Sequence, residues 1–452
     1  MSSKTSGHDG LFYKGYWVSW IIVAVVGLLS LGIGFAMFGD VSILGDLASF
    51  LNSDYFMPIL TTLVFLLTLS FILGWLTIAI VSKIGDEVIL LVFWITPFII
   101  AGISLFLTYQ EQNMDYLGGA IVSVLFFIFV IYFRKSIRAS ARLVELGAEI
   151  VVTNPKMFYP AIVSMILKFV ATILMLAGSI LVIAILVSIH PIVAVIVWII
   201  YEIPYLFVMS VISSFSQATN IAYVQQWYSK PSKSPSLGQA RNKISKLKGP
   251  VARYSFLMTF VRMFKGGRRR QTGWTPFALA KYMKISDWPS LIFGGSRSVT
   301  STVAKVVEYL GTYTLVIIVS KNLKSVSQAY KQSTKGIFGT FVTNIAGQIG
   351  LNIVDYLQRF ITSLLLLIIG GVYGFFVFTA TVGDTSNAII FAIIFALVFL
   401  IIGSIPLGGL FKPVITSYQF VLYQSYIDRK SNKALSSRLN KKTQGIIKAA
   451  FK

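Results

Sequence analysis

The sequence predicts an all-α fold, a polytopic helical membrane protein with about eight transmembrane helices and with in-plane or re-entrant amphipathic helices between them. Three observations predict this class. The mean hydropathy is +0.79, 56% of the residues are hydrophobic, and several apolar runs exceed the length of about 18 residues that indicates a bilayer-crossing helix. This profile excludes an ordinary soluble domain.

The placement of charge predicts the orientation of the helices. The chain has 39 Lys and Arg against 16 Asp and Glu, and the bases concentrate in connections that the positive-inside rule assigns to the cytoplasm. Other connections carry acids and no base, and they are predicted to be external. The acids in these connections are Asp40, Asp46, Asp54, Glu111, Asp115 and Asp384. Both termini are thereby predicted to be inside.

Residues 1–133 are predicted to form an N-terminal bundle of four spans. The first span is taken as retained rather than as a cleaved signal peptide, because its apolar run is long and lacks a small-residue cleavage pattern. A tight turn at Ser82–Glu87 separates spans two and three. The four spans are Trp17–Phe38, Met57–Val81, Val88–Thr108 and Leu117–Phe133.

Residues 134–229 are predicted to form a first repeat-like block, an amphipathic helix followed by a hairpin of two spans. Bases after Arg134 recur at helical spacing beside apolar residues, which is typical of a helix lying on an anionic membrane surface. Span five extends to Val187, and span six runs from Pro191 to Ser213.

The main candidate for a substrate or ion path is the Tyr201-Glu202-Ile203-Pro204 stretch in span six. An ionised carboxylate in hydrocarbon is costly unless it is paired, and proline leaves the carbonyl of Ile200 without its helical donor. Glu202 is therefore either a path residue or a structural carboxyl that a neighbouring Tyr or Ser holds. Lys168 in span five is a secondary candidate, although its depth, about 12 Å from that of Glu202, makes a pair between them unfavourable.

Residues 230–300 are predicted to be a basic segment on the cytoplasmic membrane surface. Residues 230–290 contain fourteen Lys and Arg and a single acid, and anionic headgroups attract such a segment by about 1 kcal/mol per base. A cytosolic protein partner is the second interpretation, and no nucleic-acid partner is predicted. The candidate anionic-lipid residues are Arg268, Arg269, Arg270, Lys281 and Lys284.

Residues 301–427 are predicted to form a second repeat-like block. The stretch 302–320 is apolar but contains Lys305 and Glu308, which are further secondary path candidates, and bases follow it. It is therefore predicted to be re-entrant or in-plane, as is 341–354, which has Asn344, Gln348 and Asn352 on one side. Spans seven and eight follow at Phe360–Ala380 and Ala388–Leu407, before a basic tail at 428–452.

The two blocks suggest an internal repeat. Each begins with a basic amphipathic lead, at 134–140 and at 320–326, and each ends in an aromatic exit after its hairpin of spans. The exits are Tyr223–Tyr228 and Val421–Tyr426. Because both blocks enter from the inside, the duplication would be parallel, with a site expected at the interface of the two repeats.

Three longer motifs resemble a family of prokaryotic polytopic membrane proteins over residues 134–430. They are Val144–Pro155, Ser214–Ala222 and Lys324–Gly336. More remotely, the chain is similar to the choline-transporter-like family through Gln226-Trp227-Tyr228 before the basic segment and through the closing motif Tyr418–Asp428. The resemblance implies a multi-pass membrane protein with a transport function.

Two functions are compatible with these patterns. The first is translocation of a small polar solute or a lipid headgroup along a path that contains Glu202. The second is a non-transporting scaffold whose basic segments dock a cytosolic partner. The sequence contains no cysteine, no phosphate-binding motif and no cluster of metal ligands, so we expect no enzyme, no cofactor and no metal site. A prokaryotic plasma membrane is the expected location, and homo-oligomers are compatible with this reading.

Overall fold

The computed structural model describes residues 6–38, 56–112, 114, 117–229, 234–264, 309–311, 313–382 and 385–450. Nearly all of these residues are helical, and the all-α membrane class is confirmed. The helices are α1 Ser6–Phe38, α2 Phe56–Glu111, α3 Leu117–Tyr132, α4 Arg134–Thr153, α5 Phe158–Ile189, α6 Pro191–Ser229, α7 Leu237–Lys246, α8 Lys248–Phe264, α9 Thr314–Lys321, α10 Val326–Gly339, α11 Phe341–Val382, α12 Thr385–Leu410, α13 Lys412–Lys430 and α14 Lys441–Ala450.

Four helical stretches in the described part of the chain are long and apolar enough to cross a membrane, and a fifth is obtained if α3 and α4 count as one broken span. The four are Gly10–Ser30, Val64–Glu111, Pro155–Ser179 and Phe341–Val377. Their outward-facing side chains are large and apolar, for example Leu91, Phe106 and Ile368, each more than half exposed. Such a surface is stable only against hydrocarbon. The predicted sixth and eighth spans lie within α6 and α12.

The predicted turn at Ser82–Glu87 is wrong, because α2 runs through it as one helix of 56 residues. Its length of about 84 Å far exceeds the roughly 30 Å of hydrocarbon that one span must cross. The polar residues that suggested a turn instead meet another helix. The amide of Asp86 donates to Glu145 Oε2 of α4 at 3.0 Å, and Gly85 lies against the same residue.

The prediction that the amphipathic helix after Arg134 lies on the membrane surface is also wrong. The chain bends by 80° between α3 and α4, and α4 then packs against α2, α11, α13 and α14. Thirteen of its residues are buried, from Ile137 to Val151. The leading bases, such as Arg134 and Lys135, remain exposed, as do Glu149 and Thr153 near the other end. The central hydrophobic core forms around α4, the end of α6, α9, α10 and α13.

The long helices divide into two groups by their contacts. In one group α1 packs on α5, α6 and α8, whereas in the other α2 packs on α11 and α12. The helices before residue 133 are therefore shared between the groups. Helix α1 belongs to the first group, and α2, with α3 packed on it, belongs to the second. A smaller contact joins α5 to α12. The segment 341–354 is no separate re-entrant element, because it is the first part of the continuous helix α11.

Close helix contacts depend on glycines in the long helices. A Cβ atom on Gly27 of α1 would lie 2.6 Å from the carbonyl oxygen of Leu174 in α5, and one on Gly370 of α11 would lie 2.6 Å from Phe399 Cβ in α12. The absence of a side chain at these positions lets the neighbouring helices approach closely.

The substitution Gly370→Ala is expected to lower the free energy of unfolding by about 1–3 kcal/mol, because the added methyl group forces α11 and α12 apart. Gly102→Ala is the matched control, since Gly102 is also helical and has nothing within 4 Å of its Cβ position. Alanine there is expected to be neutral or stabilising. Reversible unfolding in mixed micelles measures both, and equal stability of the two variants would contradict this contact.

Candidate functional site

Glu202 lies inside an unbroken helix. Helix α6 continues through Pro204 from Pro191 to Ser229, so proline removes one backbone donor without ending the helix, as membrane helices tolerate. The Glu202 side chain is partly buried. Among the described residues, no hydrogen bond or ion pair joins it to a partner, so the predicted Tyr or Ser that would hold it is not found.

Tyr201 joins three helices. Its side chain is 5% exposed, and its hydroxyl donates at 3.3 Å to the carbonyls of Val23 in α1 and Leu174 in α5. The hydroxyl lies over Gly178, where a Cβ atom would be 2.5 Å away. These contacts give Tyr201 a packing role between α1, α5 and α6.

Lys168 lies far from Glu202, as predicted. Its ammonium group donates to Ser213 Oγ, which is eleven residues beyond Glu202 on α6, or about 16 Å along the helix axis. The remaining predicted residues lie outside the described part of the chain. They are Lys305, Glu308, Arg268, Arg269, Arg270, Lys281 and Lys284.

A buried polar face on α11 is the most unusual feature of the described interior. Asn344, Gln358 and Thr362 are all 0% exposed, and eighteen residues, five whole turns, separate the first from the last, so the three share one side of the helix. The face is about 27 Å long, close to the thickness of the hydrocarbon layer. It lies where α11 packs on α2, α4 and α12.

Two residues of this face have no partner for their polar atoms. Both amide atoms of Gln358 and the hydroxyl of Thr362 lack a hydrogen bond within the described residues. Leaving such a group buried costs about 1–3 kcal/mol, and native interiors rarely do so without a reason. Contacts between α2 and α11 lie before and after Gln358 and Thr362 along α11. Before them, Ile89 packs against Gly350. After them, the hydroxyl groups of Thr62 and Tyr373 are hydrogen-bonded at 2.8 Å.

A cluster of buried tyrosines lies at the Asn344 end of the polar face. The rings of Tyr313 and Tyr423 are 5.1 Å apart, and Tyr418 donates to the carbonyl of Thr343 at 3.1 Å. Asn344 itself is next to Tyr309. Tyrosine faces attract cations, and quaternary ammonium groups above all. We call these four residues, Tyr309, Tyr313, Tyr418 and Tyr423, the tyrosine cluster.

Sequence reasoning missed a buried ion pair that holds α4 in place. Arg142 Nη1 pairs with Glu145 Oε1, and their side chains are 11% and 5% exposed. Arg142 Nε also donates to Thr443 Oγ1 of α14 at 3.1 Å. With the bond from Asp86, the pair connects α2, α4 and α14. Glu145 was within the Val144–Pro155 motif, and Arg142 lies only three residues before it, at helical contact spacing. The burial of the pair depends on Asp86 and Thr443, which are distant in sequence and gave no local signal.

Comparison with known proteins identifies the family. No curated protein matches the chain. The family model described as "Plasma-membrane choline transporter" matches residues 117–430, well over half of the chain, and confirms the remote similarity that the aromatic exits suggested. The matched region contains the polar face of α11, the tyrosine cluster and the buried ion pair. The chain belongs to the plasma-membrane choline transporter family.

Proposed function

We propose that this membrane protein moves a small polar solute across the plasma membrane along the polar face of α11. The observation that carries the proposal is the pair of buried polar side chains, Gln358 and Thr362, whose atoms lack partners. In a helix packed among apolar neighbours, unpartnered groups are a cost that a passing solute or water can remove. Membership of a transporter family supports the same reading.

The chemistry of the site favours a cation that also carries a hydroxyl group. The amide of Gln358 offers two donors and two acceptor lone pairs, and the hydroxyl of Thr362 offers one donor and two acceptor lone pairs. Because neither group is charged, other residues have to stabilise a fixed charge on the solute. The tyrosine cluster lies about 21 Å further along α11, at the Asn344 end of the face. It supplies ring faces for a quaternary ammonium group at that end of the path. Choline, which the family description names, has both the cation and the hydroxyl, and a choline-containing lipid headgroup has the cation.

Glu202 is a second candidate residue for the same transport function. It belongs to the α1–α5–α6 group, whereas the polar face belongs to the α2–α11–α12 group. A carboxylate on α6 can neutralise a cation that passes between the groups. The proposal therefore keeps Glu202 as a path candidate beside α11.

Uptake of labelled choline into proteoliposomes tests the proposal. We expect saturable uptake that tetramethylammonium inhibits and that the uncharged carbon isostere of choline does not, because only the cation is attracted by tyrosine rings. Glu202→Gln is expected to reduce uptake sharply, as its sequence context predicts. Unchanged uptake in that variant would restrict the path to α11, and equal inhibition by the isostere would contradict a cation site.

The alternative is a scaffold that docks a cytosolic partner and transports nothing. The exposed bases of the tail, Lys433, Lys441, Lys442 and Lys448, support it. Proteoliposomes that bind the partner but show no flux above empty vesicles would favour the scaffold.

A further inference from the structure

A cavity lies between the end of α13 and the tail helix α14. Its volume is about 360 Å³, and Arg429, Lys433, Gln444 and Lys448 are among the residues that line it. Arg429 lies at the end of the family-matched region, and the other three residues lie beyond it. The cavity is separated in sequence from the polar face of α11 and is not used by the proposed transport path. It is large enough for a phosphate group together with part of the molecule that carries it.

The cavity is basic and has no internal counter-charge. Three of its lining residues are Arg or Lys, and none of the described lining residues is an acid. The neighbouring carboxylate, Asp428, is already engaged, because Tyr228 donates to Oδ2 and Gln424 donates to Oδ1, both at 2.9 Å. Burial first, and then Asp428, raises the pKa of Tyr228, so that hydroxyl remains protonated and keeps donating. Both oxygens of Asp428 are therefore occupied by these two donors, and Asp428 does not line the cavity.

Arg429 contributes a buried donor that has no acceptor. Its Nε atom is inaccessible to solvent and has no hydrogen-bond partner among the described residues. Guanidinium groups bind phosphate oxygens through two parallel N–H donors, and charge-assisted bonds of this kind are about twice as strong as neutral ones. An anion in the cavity would supply the acceptor that this group lacks.

The simpler explanation is that these bases interact with the carbonyl groups at helix ends. The end of α13 does not need them. The amide of Lys433 donates to the carbonyl of Asp428 at 2.8 Å, and the amide of Asn432 donates to that of Arg429 at 3.1 Å. Asn432 has a φ of 52°, the left-handed conformation that closes a helix in this way. Moreover, Lys448 comes from a different helix and reaches the same cavity.

We propose that this cavity binds a phosphate group, either free or as the headgroup of an anionic lipid, through Arg429, Lys433 and Lys448. Both sources offer the same chemistry, a compact anion with several acceptor oxygens. The bound group would connect α13 with α14. Because Thr443 of α14 accepts from the buried Arg142 of α4, occupancy of the cavity would hold the tail against the central core.

The test compares the full-length protein with two double variants. Arg429→Gln with Lys448→Gln removes two cavity bases, and Lys441→Gln with Lys442→Gln removes two exposed bases of the same tail helix that do not line the cavity. The thermal midpoint is followed during titration with inorganic phosphate in uncharged detergent, at constant ionic strength. It is also followed in phosphatidylcholine nanodiscs with and without phosphatidic acid.

We expect a saturable rise in the midpoint of the wild-type protein, with apparent affinity at least about tenfold weaker in the cavity variant and unchanged in the tail control. A rise with inorganic phosphate assigns the free anion, and a rise with phosphatidic acid alone assigns the lipid headgroup. Two results would overturn the proposal. One is the absence of any rise with either probe, and the other is an equal loss in both double variants, which would indicate unspecific attraction by tail charge.

Discussion

Replacing Gln358 by leucine is expected to abolish solute uptake while leaving the stability of the protein unchanged or higher. Leucine has nearly the volume of glutamine, and it removes two buried polar atoms that have no partner in the described structure. Eliminating such atoms usually stabilises a protein or leaves its stability unaltered. A buried polar residue that carries this cost is expected to have a function, and along a path that function is contact with the solute.

The matched control for this prediction is Ile361→Leu. Ile361 lies one turn further along α11 and is 45% exposed, so it faces lipid rather than the helix interior. Uptake into proteoliposomes and reversible unfolding in mixed micelles are measured on both variants and on the wild type. Full uptake by Gln358→Leu would show that the buried amide is not part of the path.

Replacing Glu145 by glutamine is expected to cost about 3–5 kcal/mol of unfolding free energy. The change removes the charge that compensates the buried guanidinium group of Arg142, and breaking one side of a buried pair is far more costly than losing an exposed one. It also weakens the acceptor for the amide of Asp86, which lies 3.0 Å from Glu145 Oε2. Because the pair connects α2, α4 and α14, the loss affects the central core rather than one helix end.

A double variant separates the missing charge from lost packing. Replacing Arg142 and Glu145 together by methionine removes both charges and retains apolar volume, and buried pairs replaced in this way are often neutral or stabilising. The double variant is therefore expected to be more stable than Glu145→Gln alone. If both variants lose the same free energy in chemical unfolding, the ion pair does not hold α4 in place.

Composition and periodicity were sufficient for the class of the fold but not for the surroundings of each helix. The bases after Arg134 correctly indicated a two-sided helix. A polar side can face headgroups or other protein, however, and only the contacts with α2, α11 and α13 show that α4 is central. Likewise, Lys83, Asp86 and Glu87 suggested a turn, yet they belong to the stretch of α2 that meets Glu145.

The candidate site was only partly accessible from the sequence. Asn344 was marked as polar within an apolar stretch, and it is buried, whereas Asn352, predicted on the same side, is exposed. Gln358 and Thr362 appeared ordinary in the sequence, because their lack of hydrogen-bond partners depends on how α2 and α12 pack against α11. Glu202 was the most conspicuous carboxylate, but local sequence could not show that it lies in the other helix group.

The predicted internal repeat remains a prediction, although the first aromatic exit does meet the closing motif Tyr418–Asp428, which contains the second exit. Tyr228 at the end of α6 donates to Asp428 at the end of α13, and its ring lies 6.0 Å from that of Phe420. The second exit is on a separate helix, because the chain breaks between α12 and α13, whereas the first is continuous with α6.

Water access along α11 tests the central claim most directly. The natural chain has no cysteine, so single substitutions Gln358→Cys and Thr362→Cys can be labelled without background. Membrane-impermeant thiol reagents react with thiolates, which form in water and not in hydrocarbon.

Leu364→Cys and Ile368→Cys are the controls, since these side chains are 49% and 51% exposed on the lipid-facing side of the same helix. The proposed path predicts labelling at 358 and 362, slowed by choline, and none at 364 and 368. Folded protein that remains unlabelled at 358 and 362, with or without choline, would contradict it.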